Sequence, residues 1–210
     1  MPITIAVPKG RLLEPSLAAL RSLGITVPEG LDSSGRELHQ ANGSVTVFLT
    51  RARDVPLYLR QGGAHLGVVG LDRLRESGCR ATIHARLGFG RCRLVVASPE
   101  ETGWPLPSPV RVGTGYPRLT RAHFAGSSTQ VRIVPLSGSV EIAPRAGLCD
   151  AVVDIVETGS TLRANGLVIR ETVLESEAVL AVSARATRIA AVRSLLMDLG
   201  EEVGPDACMA

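Results

Sequence analysis

The sequence predicts an α/β protein built from β-α-β units, and three observations carry that prediction. Short aliphatic and β-branched runs alternate with amphipathic stretches along most of the chain. Hydrophobic residues make up 45% of the composition and aromatic residues only 3%, the balance of a core filled by Ala, Val and Leu rather than by rings. At 210 residues the chain is long enough to bury a real core, as one large or two small domains.

The elements follow in order. Ile3–Val7 reads as a short buried strand, and Arg11–Leu23 as a helix with Leu12, Leu13, Leu17 and Leu20 on one face and Gly24 past its end. Val45–Leu49 is a second strand, Asp54–Gln61 a helix with Asp54 as N-cap, and His65–Val69 a third strand. A short helix from Leu71 and a strand over Cys92–Ala97 come next, and the alternation predicts a largely parallel sheet. Four prolines between Ser98 and Pro109 interrupt regular structure and mark the best domain boundary. Beyond them the rhythm resumes: strand Val110–Gly113, helix near Leu119–Ala125, strand Val131–Leu136, helix near Val140–Ala146, and strand Ala151–Val156. Leu167–Leu174 and Val179–Val182 read as closing strands. Ile189, Val192, Leu196 and Leu199 stripe a final amphipathic helix that serves as packing surface.

Composition excludes several functions. A net charge of +3 is too small to argue for nucleic acid, although a local basic cleft for polyphosphates is compatible with it. Cys79, Cys92, Cys149 and Cys208 are widely spaced with no C-x-x-C pair, so they read as reduced thiols of a cytoplasmic protein, not bridges or zinc ligands. His39, His65, His84 and His123 also lack ligand spacing. No export signal is visible, and no apolar run approaches the ~20 residues that span a bilayer.

The richest stretch is Asp150–Leu167, DAVVDIVETGSTLRANGL. An apolar strand carrying one acid, Asp154, delivers Glu157, Thr158, Gly159, Ser160 and Thr161 to a helix start. Backbone N–H groups and hydroxyls converge there to cradle an anion, and Gly159 lets the backbone approach closely. Taken alone, T-G-S-T fits an ordinary turn with a helix cap about as well. An acid inside an apolar strand is costly to bury, which places Asp154 at a strand end or in a site. A second clue is compositional. Of 23 basic side chains the only lysine is Lys9, directly after the first strand and before Gly10. A compact ammonium suits close phosphate contact in ways a guanidinium does not, and a leftover surface residue is the alternative.

The wider run Glu141–Leu162 closely resembles the signature of ATP phosphoribosyltransferase, the first enzyme of histidine biosynthesis. Pro8–Leu12, Arg51–Pro56, Gly67–Asp72, Leu87–Ala97 and Tyr116–Arg121 resemble further blocks of that family, in family order. Three positions depart from it: Cys149 stands for a smaller residue, and Leu71 and Gly115 stand for frequent lysines.

The resemblance implies a two-lobed fold like that of type II periplasmic binding proteins, with the substrate cleft between lobes. Residues 1–97 plus 180–210 would form the first lobe. Residues 98–179 would form the second and carry the phosphoribosyl pyrophosphate loop. It implies that adenine N1 of ATP displaces pyrophosphate from phosphoribosyl pyrophosphate, with Mg²⁺ bound to the substrate and no protein metal site. Lys9, Arg11, Arg51 and Arg53 are the expected catalytic cations for the pyrophosphate. Asp154, Glu157, Thr158, Gly159, Ser160 and Thr161 are expected to bind phosphoribosyl pyrophosphate. Gly10, Asp72 and Glu141 are weaker candidates for ATP or ribose. The chain ends about where the family's catalytic core does, which implies the short form without a C-terminal regulatory domain. That form works as a homo-oligomer, a dimer, within a hetero-oligomer that contains a regulatory subunit resembling histidyl-tRNA synthetase. A cytosolic ligand-binding module that has lost its chemistry and a phosphoribosyltransferase with another acceptor base are the competing readings.

Overall fold

A computed structural model describes residues 2–28, 31 and 39–199. Cys208 therefore lies outside the described residues. The chain divides into two compact units, one formed by residues 1–90 with 177–210 and the other by residues 91–176. The divisions fall at Gly90/Arg91 and Ser176/Glu177, a few residues before those expected at 97/98 and 179/180. The proline-rich segment is thus internal to the second unit, because the strand before it already pairs within that unit's sheet.

The first unit contains β1 (Ile3–Pro8), β2 (His39–Asn42), β3 (Val45–Thr50), β4 (Leu66–Gly70), β5 (Ala81–Arg86) and β11 (Ala178–Ser183), in the sheet order β2-β3-β1-β4-β11-β5. β3, β1 and β4 run parallel, while β2, β11 and β5 pair antiparallel with their neighbours. Both faces are covered. Ile3, Ile5 and Val7 of β1 join one buried cluster with Leu13, Leu17 and Leu20 of α1 (Leu13–Ser22) and Val192 of α6 (Ala190–Leu199). Ala6 faces the other side, with Val55 and Leu59 of α2 (Val55–Gln61) and Leu71 and Leu74 of α3 (Leu71–Ser77). Strands buried on both faces need apolar residues on both, which is why the central strands β4 and β11 read as near-continuous runs without alternation.

The second unit contains β6 (Cys92–Pro99), β7 (Val110–Thr114), β8 (Val131–Pro135), β9 (Ala151–Val156) and β10 (Leu167–Ser176), in the order β10-β6-β9-β7-β8. β9, β7 and β8 are parallel, and β6 and β10 are antiparallel to their neighbours. Val153 and Ala151 share one face with Tyr116 and Phe124 from around α4 (Pro117–Phe124). Val152 and Val156 share the opposite face with Val140, Ala143 and Leu162 of α5 (Ser160–Ala164).

Two expectations are corrected. Both sheets are mixed, not largely parallel: strands flanking the passages between units return in the opposite sense. The helix expected near Val140–Ala146 is one 3-10 turn, Val140–Ile142, entered from Ser139 in the left-handed region at φ 49° and followed by Pro144, which offers no N–H to continue it. Asp54 does occupy the N-cap position of α2, but its carboxylate makes no capping hydrogen bond.

One polar contact ties the edge where β4 begins. The Thr4 N–H donates to Nδ1 of His65 at 2.9 Å, while the His65 N–H donates to the Thr4 carbonyl at 2.8 Å. The first bond needs Nδ1 unprotonated, and burial pushes the imidazole pKa below its usual value of 6.5. The unfolded chain takes up this proton more readily than the folded one. The contribution of His65 to stability is therefore complete above about pH 6.5 and is lost as pH falls through the lower folded value. His65→Asn retains an acceptor and removes the titration. Its urea midpoint should decline less than that of the wild type between about pH 7 and 5. An equal decline in both proteins would contradict the assignment.

Candidate active site

Parallel strands that start together also end together, and this places the sequence motifs. In the first unit the register runs Pro8↔Thr50 between β1 and β3, and Ala6↔Gly67 between β1 and β4. The Lys9 N–H extends the first ladder by donating to the Thr50 carbonyl at 2.8 Å. Lys9, Gly10 and Arg11 leave the end of β1, Arg51 and Arg53 leave β3, and Asp72 follows the end of β4. All six sequence-predicted residues of this unit thus lie along one edge of one sheet.

Their surroundings differ. Lys9 is half-buried and makes no ion pair with a described residue. Arg51 closes the strand, and the 3-10 turn Ala52–Asp54 then rotates the chain, so Arg51 and Arg53 do not share a strand face. Arg53 Nε lies 3.8 Å from Asp54 Oδ1 in an exposed pair, a contact worth little by itself. Arg51 is exposed and has no ion pair among the described residues. Asp72 is buried in the first turn of α3, with Arg73 Nε at 3.8 Å from its Oδ2 and its carboxylate packed over Gly70. That packing gives Asp72 a structural role of its own.

In the second unit β9, β7 and β8 end at Val156, Thr114 and Pro135. Asp154 is the fourth of six residues in β9, half-buried, and so lies in the strand body instead of at its end. It is paired with Val95 of β6, and the two-residue period puts it on the face of Val152 and Val156. α5 and the turn that carries Glu141 pack on that same face. Asp154, Glu141 and the loop Glu157–Thr161 are therefore brought to one side of one sheet. Asp154 Oδ1 accepts the N–H of Ile155 at 2.9 Å.

The loop is internally braced. Gly159, at φ 74°, is the N-cap of α5 and is buried, and a Cβ there would stand 3.2 Å from Ile169 Cδ1 and 3.3 Å from Arg163 Nη1. The hydroxyls of Thr158 and Ser160 bond each other at 3.0 Å, so the pair retains one hydroxyl proton for a ligand. α5 spans only five residues. Its dipole is correspondingly small, and the loop offers an anion mainly the N–H groups of a helical first turn and the hydroxyls of Ser160 and Thr161.

Two side chains outside the sequence reading shape these turns. Arg163 Nη1 donates to the Thr158 carbonyl at 3.2 Å and brings a cation against the loop. Its spacing of four residues after Gly159 on a helix was the available signal. Thr114 forms a buried hydrogen-bonded junction at the end of β7, for which the sequence held no signal beyond a hydroxyl next to Gly115. At the other edge of this sheet Arg111 grips Asp150 with a fork, Nη2 to Oδ1 at 2.7 Å and Nε to Oδ2 at 3.2 Å, and holds that carboxyl below its ordinary range. Among the described residues no group of three or more His, Cys, Asp or Glu is placed to hold a metal ion, and no helix is long and apolar enough to cross a membrane.

A family model described as ATP phosphoribosyltransferase (HisG) matches residues 51–201. The chain belongs to the ATP phosphoribosyltransferase family. The ATP phosphoribosyltransferase of Anaeromyxobacter sp. (strain Fw109-5) is 46% identical over 195 residues, which cover 91% of this chain and 88% of that protein. Among solved structures, the ATP phosphoribosyl transferase (HisG:HisZ) complex from Thermotoga maritima contains a chain that superposes with a TM-score of 0.80 at 33% identity, covering 94% of this chain and 96% of that one. A histidine kinase sensor domain with similarity to periplasmic binding proteins matches at a TM-score of 0.53 and 12% identity over 94% of this chain and 88% of its own. At that identity it shares the fold alone, which is the two-unit α/β architecture of type II periplasmic binding proteins.

For this phosphoribosyltransferase, Gly159→Ala should lower folding stability by about 1 kcal/mol or more, since alanine must adopt a left-handed backbone against two close neighbours. Urea unfolding measures it. A midpoint equal to that of the wild type would mean that the turn relaxes freely.

Proposed function

We propose that this chain condenses ATP with 5-phosphoribosyl 1-pyrophosphate to give N1-(5-phosphoribosyl)-ATP and pyrophosphate, the first committed step of histidine biosynthesis, in the cytoplasm. Membership of the family supports the reaction. The observation that carries its assignment to particular residues is the T-G-S-T loop at the end of β9, with Asp154 and Glu141 on the same sheet face.

In the reaction adenine N1 forms a bond to the anomeric carbon as the bond from that carbon to the pyrophosphate oxygen breaks. Positive charge grows on the ribose and negative charge on the leaving group, so the work of the protein is placement and charge stabilisation. Thr158, Gly159, Ser160 and Thr161 hold the 5′-phosphate, with Arg163 adding positive charge behind the loop. Asp154 and Glu157 orient the ribose hydroxyls, and Glu141 orients either these or the adenine edge. Lys9 and Arg11 bind the pyrophosphate. Arg51 stabilises the leaving group in preference to Arg53, whose guanidinium is already beside Asp54. Gly10 permits close approach at the end of β1, and Asp72 contributes to the ATP side, mainly by holding the start of α3. Mg²⁺ would enter with the substrate and supply charge neutralisation for the leaving pyrophosphate.

The HisG:HisZ complex supports a partner for this chain too: a regulatory subunit resembling histidyl-tRNA synthetase, joined to a homodimer of this chain in a hetero-oligomer. Inhibition by histidine should then appear only when that subunit is present. Full histidine sensitivity of the isolated chain would contradict the partnership.

The reaction is tested by the ultraviolet absorbance of N1-alkylated adenine, with ATP, phosphoribosyl pyrophosphate and Mg²⁺, with and without the partner. Product is expected, and its absence in both conditions overturns the proposal. Lys9→Ala and Asp154→Ala should each lower turnover by about a hundredfold or more with little change in the unfolding transition. Near-normal turnover in both would remove these residues from the site. Since Lys9 is the only lysine, acetylation by an amine-selective reagent, located by mass spectrometry, should track loss of activity and be slowed by phosphoribosyl pyrophosphate. Full activity after complete Lys9 acetylation would refute its role.

A further inference from the structure

Thr114 closes β7 with its side chain fully buried. Its hydroxyl donates to the Val153 carbonyl at 2.6 Å and accepts the Tyr116 N–H at 2.9 Å. Thr120, one turn into α4 and equally buried, donates to the Tyr116 carbonyl at 2.7 Å and stands 3.4 Å from the Thr114 oxygen. Each hydroxyl owns one proton, so that of Thr114 goes to Val153 and that of Thr120 to the nearer carbonyl. The junction is fully buried.

Its place in the sheet gives it consequence. Thr114 and Val153 are the last register pair between β7 and β9. Beyond them β7 leaves the sheet at Gly115, and the Thr114 hydroxyl adds a side-chain bond to the Val153 carbonyl where the ladder ends. The carbonyl it holds belongs to the peptide that links Val153 to Asp154. One side chain therefore ties the backbone of Asp154 to the turn Gly115–Tyr116.

We propose that Thr114 is a positioning residue for the phosphoribosyl pyrophosphate site: its buried hydroxyl fixes the peptide that carries Asp154, and with it the point at which the carboxylate meets the ribose hydroxyls. This rests on the role given to Asp154 above. Valine at 114 keeps the shape of threonine but removes the hydroxyl that the Tyr116 N–H and the Val153 carbonyl share in a buried site. Serine keeps the hydroxyl.

The test measures Kd for phosphoribosyl pyrophosphate with Mg²⁺ by calorimetry, KM for each substrate and Tm, using the chain with its regulatory partner. Thr114→Val should raise Kd and KM for phosphoribosyl pyrophosphate about tenfold or more, with KM for ATP within about threefold of the wild type. Thr114→Ser should restore most of the affinity. Thr120→Val disturbs the same junction without touching the Val153 bond, and should lower Tm while leaving Kd within about threefold. If Thr114→Val does not fold, Thr114→Cys, a weaker donor, replaces it with a smaller expected rise. Unchanged Kd in the folded Thr114 variant, whatever its Tm, overturns the proposal and reduces Thr114 to a packing residue. A rise as large in Thr120→Val also overturns it. If the wild type itself binds no phosphoribosyl pyrophosphate, the function proposed above is what fails.

Discussion

The shared ending of parallel strands is the constraint on which the rest of this protein depends. Parallel neighbours in fixed register must release their chains at the same edge of a sheet, and each released chain must turn at once to reach a covering helix. In the first unit this gathers the segments after β1, β3 and β4, and in the second those after β9, β7 and β8. Residues far apart in sequence, such as Lys9 and Arg51 or Glu141 and Thr158, come to common edges without needing contacts of their own. The buried faces make the arrangement stiff, since β1, β4 and β9 are packed on both sides by aliphatic residues.

Electrostatics follow the same division. The best-formed ion pair described, Arg111 with Asp150, staples the beginnings of β7 and β9, the edge away from the loops. It fixes register there and leaves the other edge to other groups. At the end of β1 and β3, Lys9 and Arg51 have no ion pairs with described residues, and Arg53 has only a long, exposed one. Cations on such an edge that make no ion pair with a described residue keep their charge available for an anionic ligand. In the second unit the corresponding device is mostly neutral: N–H groups, hydroxyls and a left-handed glycine, with Arg163 close behind.

Much of this was legible in the sequence. The apolar runs located the strands bearing the motifs, and Lys9 was conspicuous because no other lysine exists. The T-G-S-T turn announced itself through residue types that only a special backbone requires. Strand direction was not legible, because β6 and β11, buried on both faces, have the same composition whether parallel or antiparallel. β5 escaped because Ala81–Arg86 mixes a buried His84 with a charged end at Arg86, and β2 because His39–Asn42 is short and polar at three of its four positions. The supposed helix at Val140–Ala146 had apolar spacing but contained Pro144, and the proline decided the outcome. The face chosen by Asp154 depends on which helices cover each side of the sheet, a tertiary fact. Thr114 was invisible for a similar reason: a threonine ending a strand is ordinary until its partners are known.

The most direct test of this account is a crystal structure of the chain with phosphoribosyl pyrophosphate and Mg²⁺. The account predicts 5′-phosphate oxygens about 3 Å from N–H and hydroxyl groups of residues 158–161, with Asp154 Oδ atoms on the ribose hydroxyls. A 5′-phosphate seated on Lys9 and Arg11, with the loop after β9 empty, would contradict it.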